Sequence, residues 1–99
     1  MAQQFDVFRT DSGSNVLVLQ SDLLADANTR VVSRLVPEDW SHTPIDRLSP
    51  RIVVGDLELR LNLLQLATLT LPQLETHIGS AAHQRDEIIR ACDMLLTGY

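Results

Sequence analysis

The side chains in this chain that could do chemistry are few, and their spacing limits what they can do. Histidines stand at His42, His77 and His83. His77 and His83 fit neither the i, i+4 spacing that puts two ligands on one helical face nor a zinc-finger pair, and His42 is alone in a polar stretch. The single cysteine, Cys92, excludes an internal disulfide and any CxxC metal or redox motif. It falls among Ile88, Ala91 and Leu95, where a thiol packs as a small hydrophobe. Acid pairs occur at Asp22/Asp26, Glu38/Asp39 and Asp86/Glu87. No neighbouring residues mark any of these pairs as an acid–base dyad, so each suits a solvated turn or a helix start better. GxSxG, P-loop and Gly-rich dinucleotide motifs are absent. Taken alone, these residues argue for no enzyme, no metal and no cofactor.

Charge narrows the choice further. Eight arginines and no lysine face thirteen acidic residues, for a net charge of −5. Such a chain repels phosphate backbones on average, which disfavours broad binding of DNA or RNA by the protein alone. Phe5, Phe8, Trp40 and Tyr99 are too scattered for a base-stacking platform. The 99 residues predict a single domain, 1–99. A core this small buries only roughly 60–65% of the unfolded surface, so dimerisation is a natural supplement. An 18-residue apolar run and a basic-then-apolar leader are both missing, so the expectation is a cytoplasmic protein with no membrane partner.

The elements that must position any site read as strands first and one helix last. Gln4–Arg9 is β-prone, the cluster Thr10–Asn15 favours a turn, and Val16–Leu19 reads as the returning strand of a hairpin. Arg30–Val36 predicts a third strand, stopped by Pro37, and Glu38–Pro50 an irregular excursion. Gly55-Asp56 has the chemistry of a two-residue hairpin turn between Arg51–Val54 and Leu57–Leu61. Beyond it Leu57, Leu59 and Leu61 alternate with Glu58, Arg60 and Asn62, one face buried and the other wet. Asn62–Leu71 is ambiguous, its second half reading as strand. The period then changes. Ile88, Ala91, Cys92, Leu95 and Leu96 recur on one helical stripe, predicting a helix from about Ser80, as N-cap, to Leu96, ended by Gly98.

Two features exceed what a core requires. Leu23-Leu24 follows Gln20-Ser21-Asp22 at a strand exit, where polar residues would be ordinary. Met94–Tyr99 carries apolar residues to the end of the helix, with an aromatic at its tip. Each could serve the core or bind a partner.

At this point the chain resembles the CcdB family of toxin–antitoxin proteins. Gln4-Phe5-Asp6-Val7-Phe8 is similar to that family's first strand, and Gln20-Ser21-Asp22-Leu23-Leu24 to its Gln-Ser-Asp-Ile-Ile segment. Val53-Val54-Gly55-Asp56 matches its Ile-Gly-Asp turn, and His83–Gly98 tracks its final helix without a gap. The resemblance implies a mainly β fold: an SH3-type barrel, as in CcdB and MazF, of five antiparallel strands with a small β wing and a C-terminal helix, forming a homodimer. It implies a non-enzymatic poison that inserts between the A subunits of DNA gyrase and traps the enzyme with its DNA cleaved. It implies a CcdA-like antitoxin as neutralising partner, and DNA contact only through the antitoxin complex, which represses its own operon.

Carried over by position, the gyrase-binding residues fall on Leu23, Leu24, Asp93, Leu96, Thr97, Gly98 and Tyr99. Arg9, beside the first turn, is the expected receiver of an acidic antitoxin segment. The family ends Trp-Gly-Ile where this chain has Thr97-Gly98-Tyr99, and Asp93 and Leu96 replace an asparagine and a phenylalanine. One alternative is therefore a homologue that has lost gyrase poisoning and acts as an antitoxin-binding co-repressor. Another is a ribonuclease toxin on the related barrel.

Overall fold

The computed structural model describes residues 2–37 and 48–98. The expectations for Glu38 to Arg47, including Trp40 and His42, lie outside them. Six strands, β1 (Asp6–Arg9), β2 (Asn15–Val18), β3 (Thr29–Val36), β4 (Arg51–Val54), β5 (Leu57–Thr70) and β6 (Thr76–Ser80), precede one helix, α1 (Arg85–Thr97). They form one antiparallel sheet in the order β4-β5-β3-β2-β1-β6, curled into a nearly closed barrel. The mainly β barrel with a C-terminal helix is the fold expected. The β4–β5 hairpin is bonded into the same sheet through β5.

The β4–β5 turn forms as its sequence predicts. Gly55 takes φ +60° while Asp56 stays at negative φ, the type II′ pattern whose twist matches the strands. The ambiguous segment after Asn62 is strand as far as Thr70, with Leu71 opening a 3-10 turn. Its pairing with β3 slips between Ser33 and Arg34, whose partners are Leu66 and Asn62, so Leu63, Leu64 and Gln65 bulge out of register. Polar side chains stitch this bulge. Ser33 Oγ donates to the Asn62 carbonyl (2.8 Å), and Asn62 Nδ2 donates to Gln65 Oε1 (2.9 Å). Asn62 is therefore buried, contrary to its expected place on the wet face.

Strand alternation sorts the core into two clusters. Val7, Leu17, Leu35 and Leu61 face α1 and pack with its Ile88 and Ala91. Phe8, Val16, Val18 and Val32 face the other way and pack with Leu74. Phe5 joins the first cluster at φ +71°, with its N–H donating to the Val18 carbonyl (2.7 Å) and Ala81 N–H donating to its own carbonyl (2.8 Å). That left-handed turn ends the extended backbone, so the first strand begins at Asp6 and not at Gln4.

Two further expectations need correction. Ser80 does not cap α1: it closes β6, and its Oγ accepts from Ala82 N–H (3.1 Å) in a one-turn 3-10 helix, Ala82–Gln84, that leads into α1. Leu96 does not share the buried stripe. Cys92 and Leu95 are half-buried, and Met94 packs against the core in its place, leaving Leu96 exposed.

The strand β6 was not among the expected elements, although Thr76 and Ile78 are strand formers, and it matters to the barrel. It is where the two sheet edges meet. Gln84 imitates a strand across the gap, its Oε1 accepting from Val53 N–H (2.8 Å) and its Nε2 donating to the Arg51 carbonyl (2.6 Å). A Cβ added at Gly79 would fall inside contact distance of Val54 Cγ1, and Val54 is β-branched and stiff. Gly79→Ala is expected to destabilise the fold by about 1–3 kcal/mol through overpacking. Urea unfolding checks it: an unchanged midpoint would mean the edges are not held in contact.

Candidate functional site

The residues expected to bind a partner sit on two supports. Asp22–Leu24 forms a 3-10 turn after β2, with Ser21 Oγ accepting from Leu23 N–H (3.1 Å) as its cap. Gln20 braces the same turn: its Nε2 donates to the Leu24 carbonyl (3.2 Å) and its Oε1 accepts from Val31 N–H (3.0 Å). On this fixed backbone Leu23 is 95% exposed and Leu24 59%. Such exposure of adjacent leucines on an ordered turn has no use in the core.

The second support is the end of α1. Leu96 is 77% exposed, and Asp93, Thr97 and Gly98 are exposed with it. Gly98 takes φ +82° and its N–H bonds the Met94 carbonyl (3.1 Å), so the helix stops in a left-handed cap. Thr97 Oγ1 donates to the Asp93 carbonyl (2.8 Å), which ties the hydroxyl to the helix. Tyr99 lies outside the described residues. Both supports adjoin the α1-side core, through Leu19 just before the turn and Leu95 on the helix.

A residue that the sequence reading passed over holds the first support. Arg30 on β3 is buried, and its guanidinium donates to the carbonyls of Ala25 (3.1 Å), Ala27 (2.7 Å), Thr29 (2.8 Å) and Ala2 (3.1 Å). Only its position inside an apolar-flanked strand could have flagged it.

Arg9 ends β1, exposed, and its guanidinium has no partner among the described residues. The following loop is stitched to itself, with Thr10 N–H donating to the Ser14 carbonyl (2.8 Å) and Ser14 N–H to Thr10 Oγ1 (3.2 Å). Across it lies a groove of about 290 Å³ lined by Ser12, Ser14, Val16, Arg34, Gln65 and Leu69, among others. Among the described residues Arg34 is its one arginine, and no histidine lines it. Cys92 is held as a thiol: burial first, then the nearby charge of Asp93, pushes its pKa up. Among the described residues no three metal-ligating side chains gather, and no helix is long and apolar enough to cross a membrane.

The fold is a curled antiparallel barrel closed by a C-terminal helix, with apolar side chains presented on a capped turn and a helix end. The family model for CcdB protein matches residues 4–98, so the chain belongs to the CcdB family of toxins from toxin–antitoxin systems. No curated protein sequence matches it. Among solved structures it is similar to an endoribonuclease from a mycobacterial species, with TM-score 0.80 and 18% identity over 95% of this chain and 89% of that one. It is also similar to a mycobacterial endoribonuclease in complex with its cognate antitoxin, with TM-score 0.81 and 19% identity over 97% and 95% of the two chains. At this identity the likeness is one of fold.

Proposed function

We propose that this chain is the toxin of a CcdA/CcdB-type module and that it poisons DNA gyrase by binding, as a homodimer, without chemistry of its own. The observation that carries this reading is the exposure of Leu23, Leu24 and Leu96 on ordered, capped backbone, at the positions where family resemblance puts gyrase contacts. Apolar side chains held on rigid supports bind at low entropic cost, as interface anchors do. The exposed Val31, Leu64 and Leu66 on β3 and β5 supply further apolar area for self-association. The test is purified gyrase with supercoiled DNA. Cleaved DNA held on gyrase is expected to accumulate with the protein and to vanish when antitoxin is added. Growth arrest without such complexes would overturn the reading.

The antitoxin is proposed to engage Arg9, whose guanidinium, without a partner among the described residues, stands beside a self-stitched loop and suits a carboxylate. Arg9→Ala is expected to weaken binding of the cognate antitoxin peptide about tenfold, as loss of one charge-assisted hydrogen bond does. Equal titration curves for the two proteins would remove Arg9 from the site. Contact with DNA is proposed to run only through the antitoxin complex.

Two other readings each have an observation behind them. The names of the two similar structures, with Arg34 in a hydroxyl-lined groove, favour an endoribonuclease. A single arginine in that groove and a net charge of −5 weigh against it. RNA cleavage that is lost in Arg34→Ala would establish it. Thr97 at the family's tryptophan position favours a co-repressor that no longer poisons gyrase. Tight antitoxin binding without any effect on gyrase would establish that instead.

A further inference from the structure

The face of the barrel away from α1 carries a larger groove, of about 800 Å³, that the gyrase and antitoxin readings leave unused. Its walls include Phe8, Leu71 and Leu74, and Asp6 and His77 lie among them. The register explains the meeting. Asp6 pairs with Ser80 and Phe8 with His77, and the slip between Val7 and Phe8 leaves Ile78 without a partner, so the four side chains share one face. His77 packs edge-on to the Phe8 ring, with centroids 5.1 Å apart, and its Nε2 lies 3.4 Å from Asp6 Oδ2.

The Asp6 carboxylate is unusual in its accounting. Its side chain is only 8% exposed, while His77 is 54% exposed. Oδ2 accepts from Gln3 N–H (3.1 Å), but no donor among the described residues serves Oδ1. Oδ1 is not sealed in the interior either, because the sealed polar atoms without partners are Asn15 Oδ1 and Ser49 Oγ. Asp6 itself lines the groove. A carboxylate can accept about four hydrogen bonds, and one kept this far from water gains most from a cationic donor.

We propose that this groove is a subsite for an arginine side chain presented by an apolar segment of a protein partner. The aliphatic stem would lie along Leu71 and Leu74, and the guanidinium would donate to Asp6 Oδ1 beside the rings of Phe8 and His77, where a cation is attracted by the aromatic faces. The negative net charge of the chain steers such a segment toward it. An RNA is disfavoured, because among the described residues no arginine lines the groove to receive its phosphates. This subsite stands apart from the gyrase reading and survives or fails without it.

The probe is the peptide acetyl-Leu-Arg-Leu-amide, titrated into the isotope-labelled full chain, beside the same peptide with citrulline for arginine. Citrulline keeps the shape and removes the charge, so the comparison uses the unaltered protein. The arginine peptide is expected to move the amide resonances of Phe8, His77 and Gly79 saturably, with the citrulline peptide about tenfold weaker or worse. Asp6→Asn, checked for native secondary structure, is expected to abolish that preference. Equal binding of the two peptides, resonance shifts confined to other parts of the barrel, or displacement by a short RNA would each overturn the proposal.

Discussion

Thr97→Trp is expected to tighten binding to the gyrase A-subunit fragment by about tenfold or more, an increment of roughly 1.4 kcal/mol. Thr97 is the last residue of α1 and is exposed, with its hydroxyl already donated to the Asp93 carbonyl. Only a methyl group is left to offer a partner. A tryptophan ring buries about 150–250 Å², which at about 25 cal/mol per Å² corresponds to roughly 4–6 kcal/mol before ordering costs. Immobilising the side chain takes back about 0.5–1.5 kcal/mol, and partial burial takes more. The surplus still covers a tenfold gain. Position 97 is well placed to hold a ring, because the Gly98 cap keeps the last helical turn formed. Tyr99, two positions on in the sequence, carries the tail's aromatic ring. Calorimetric titration of wild type, Thr97→Trp and Tyr99→Ala separates the cases. Tight wild-type binding that collapses in Tyr99→Ala would show that the aromatic role has moved to Tyr99. Binding indifferent to both changes would remove the tail from the contact surface, and the gyrase assignment of these residues with it.

What could be read from the sequence was what local chemistry dictates. The Gly55-Asp56 turn, the β1–β2 hairpin and the apolar stripe of α1 each rest on residues a few positions apart, and all three form. The exposure of Leu23 and Leu24 was half legible: apolar residues after a strand exit can be buried or exposed, and only the capped turn leaves them outside the core. What escaped depends on distant pairing. β6 sets the strand formers Thr76 and Ile78 beside Gly79 and Ser80, which are not, and is held in place by β1 and the far edge of the barrel. The bulge that buries Asn62 needs Ser33 as a partner 29 positions away. The meeting of Asp6 with His77 needs β6 in place first. Leu96 sat on the right stripe by spacing alone, but Met94 fills the core beside Leu95 and leaves it outside.

Arg30→Met is expected to cost about 2–4 kcal/mol of stability, and to weaken partner binding through a turn that it never touches directly. Each hydrogen bond from a guanidinium is worth about 1.5–3 kcal/mol, and Arg30 makes four, offset by the desolvation of a buried charge. Removing it orphans the carbonyls of Ala2, Ala25, Ala27 and Thr29, of which those at the surface recover water. The functional consequence follows from where the acceptors lie. Ala25 N–H bonds the Asp22 carbonyl (3.1 Å) and Ala27 N–H the Leu24 carbonyl (3.1 Å), so the two residues that close the turn are the ones Arg30 grips. Without that grip Leu23 and Leu24 are presented by a looser loop, and binding must supply the lost order. Arg30→Lys is a sharper probe than Met. It keeps a cation but replaces a fork of donors with a single ammonium, which cannot reach carbonyls on both sides of the loop. Denaturant midpoints at unchanged slope give the stability loss. Titration of the gyrase fragment, at a temperature where every variant is folded, gives the binding loss. Weakened binding in both variants, with the Leu24 amide exchanging faster with solvent, is the expected result. Full binding in a folded Arg30→Met protein would show that the turn holds its shape through Ser21 and Gln20 alone.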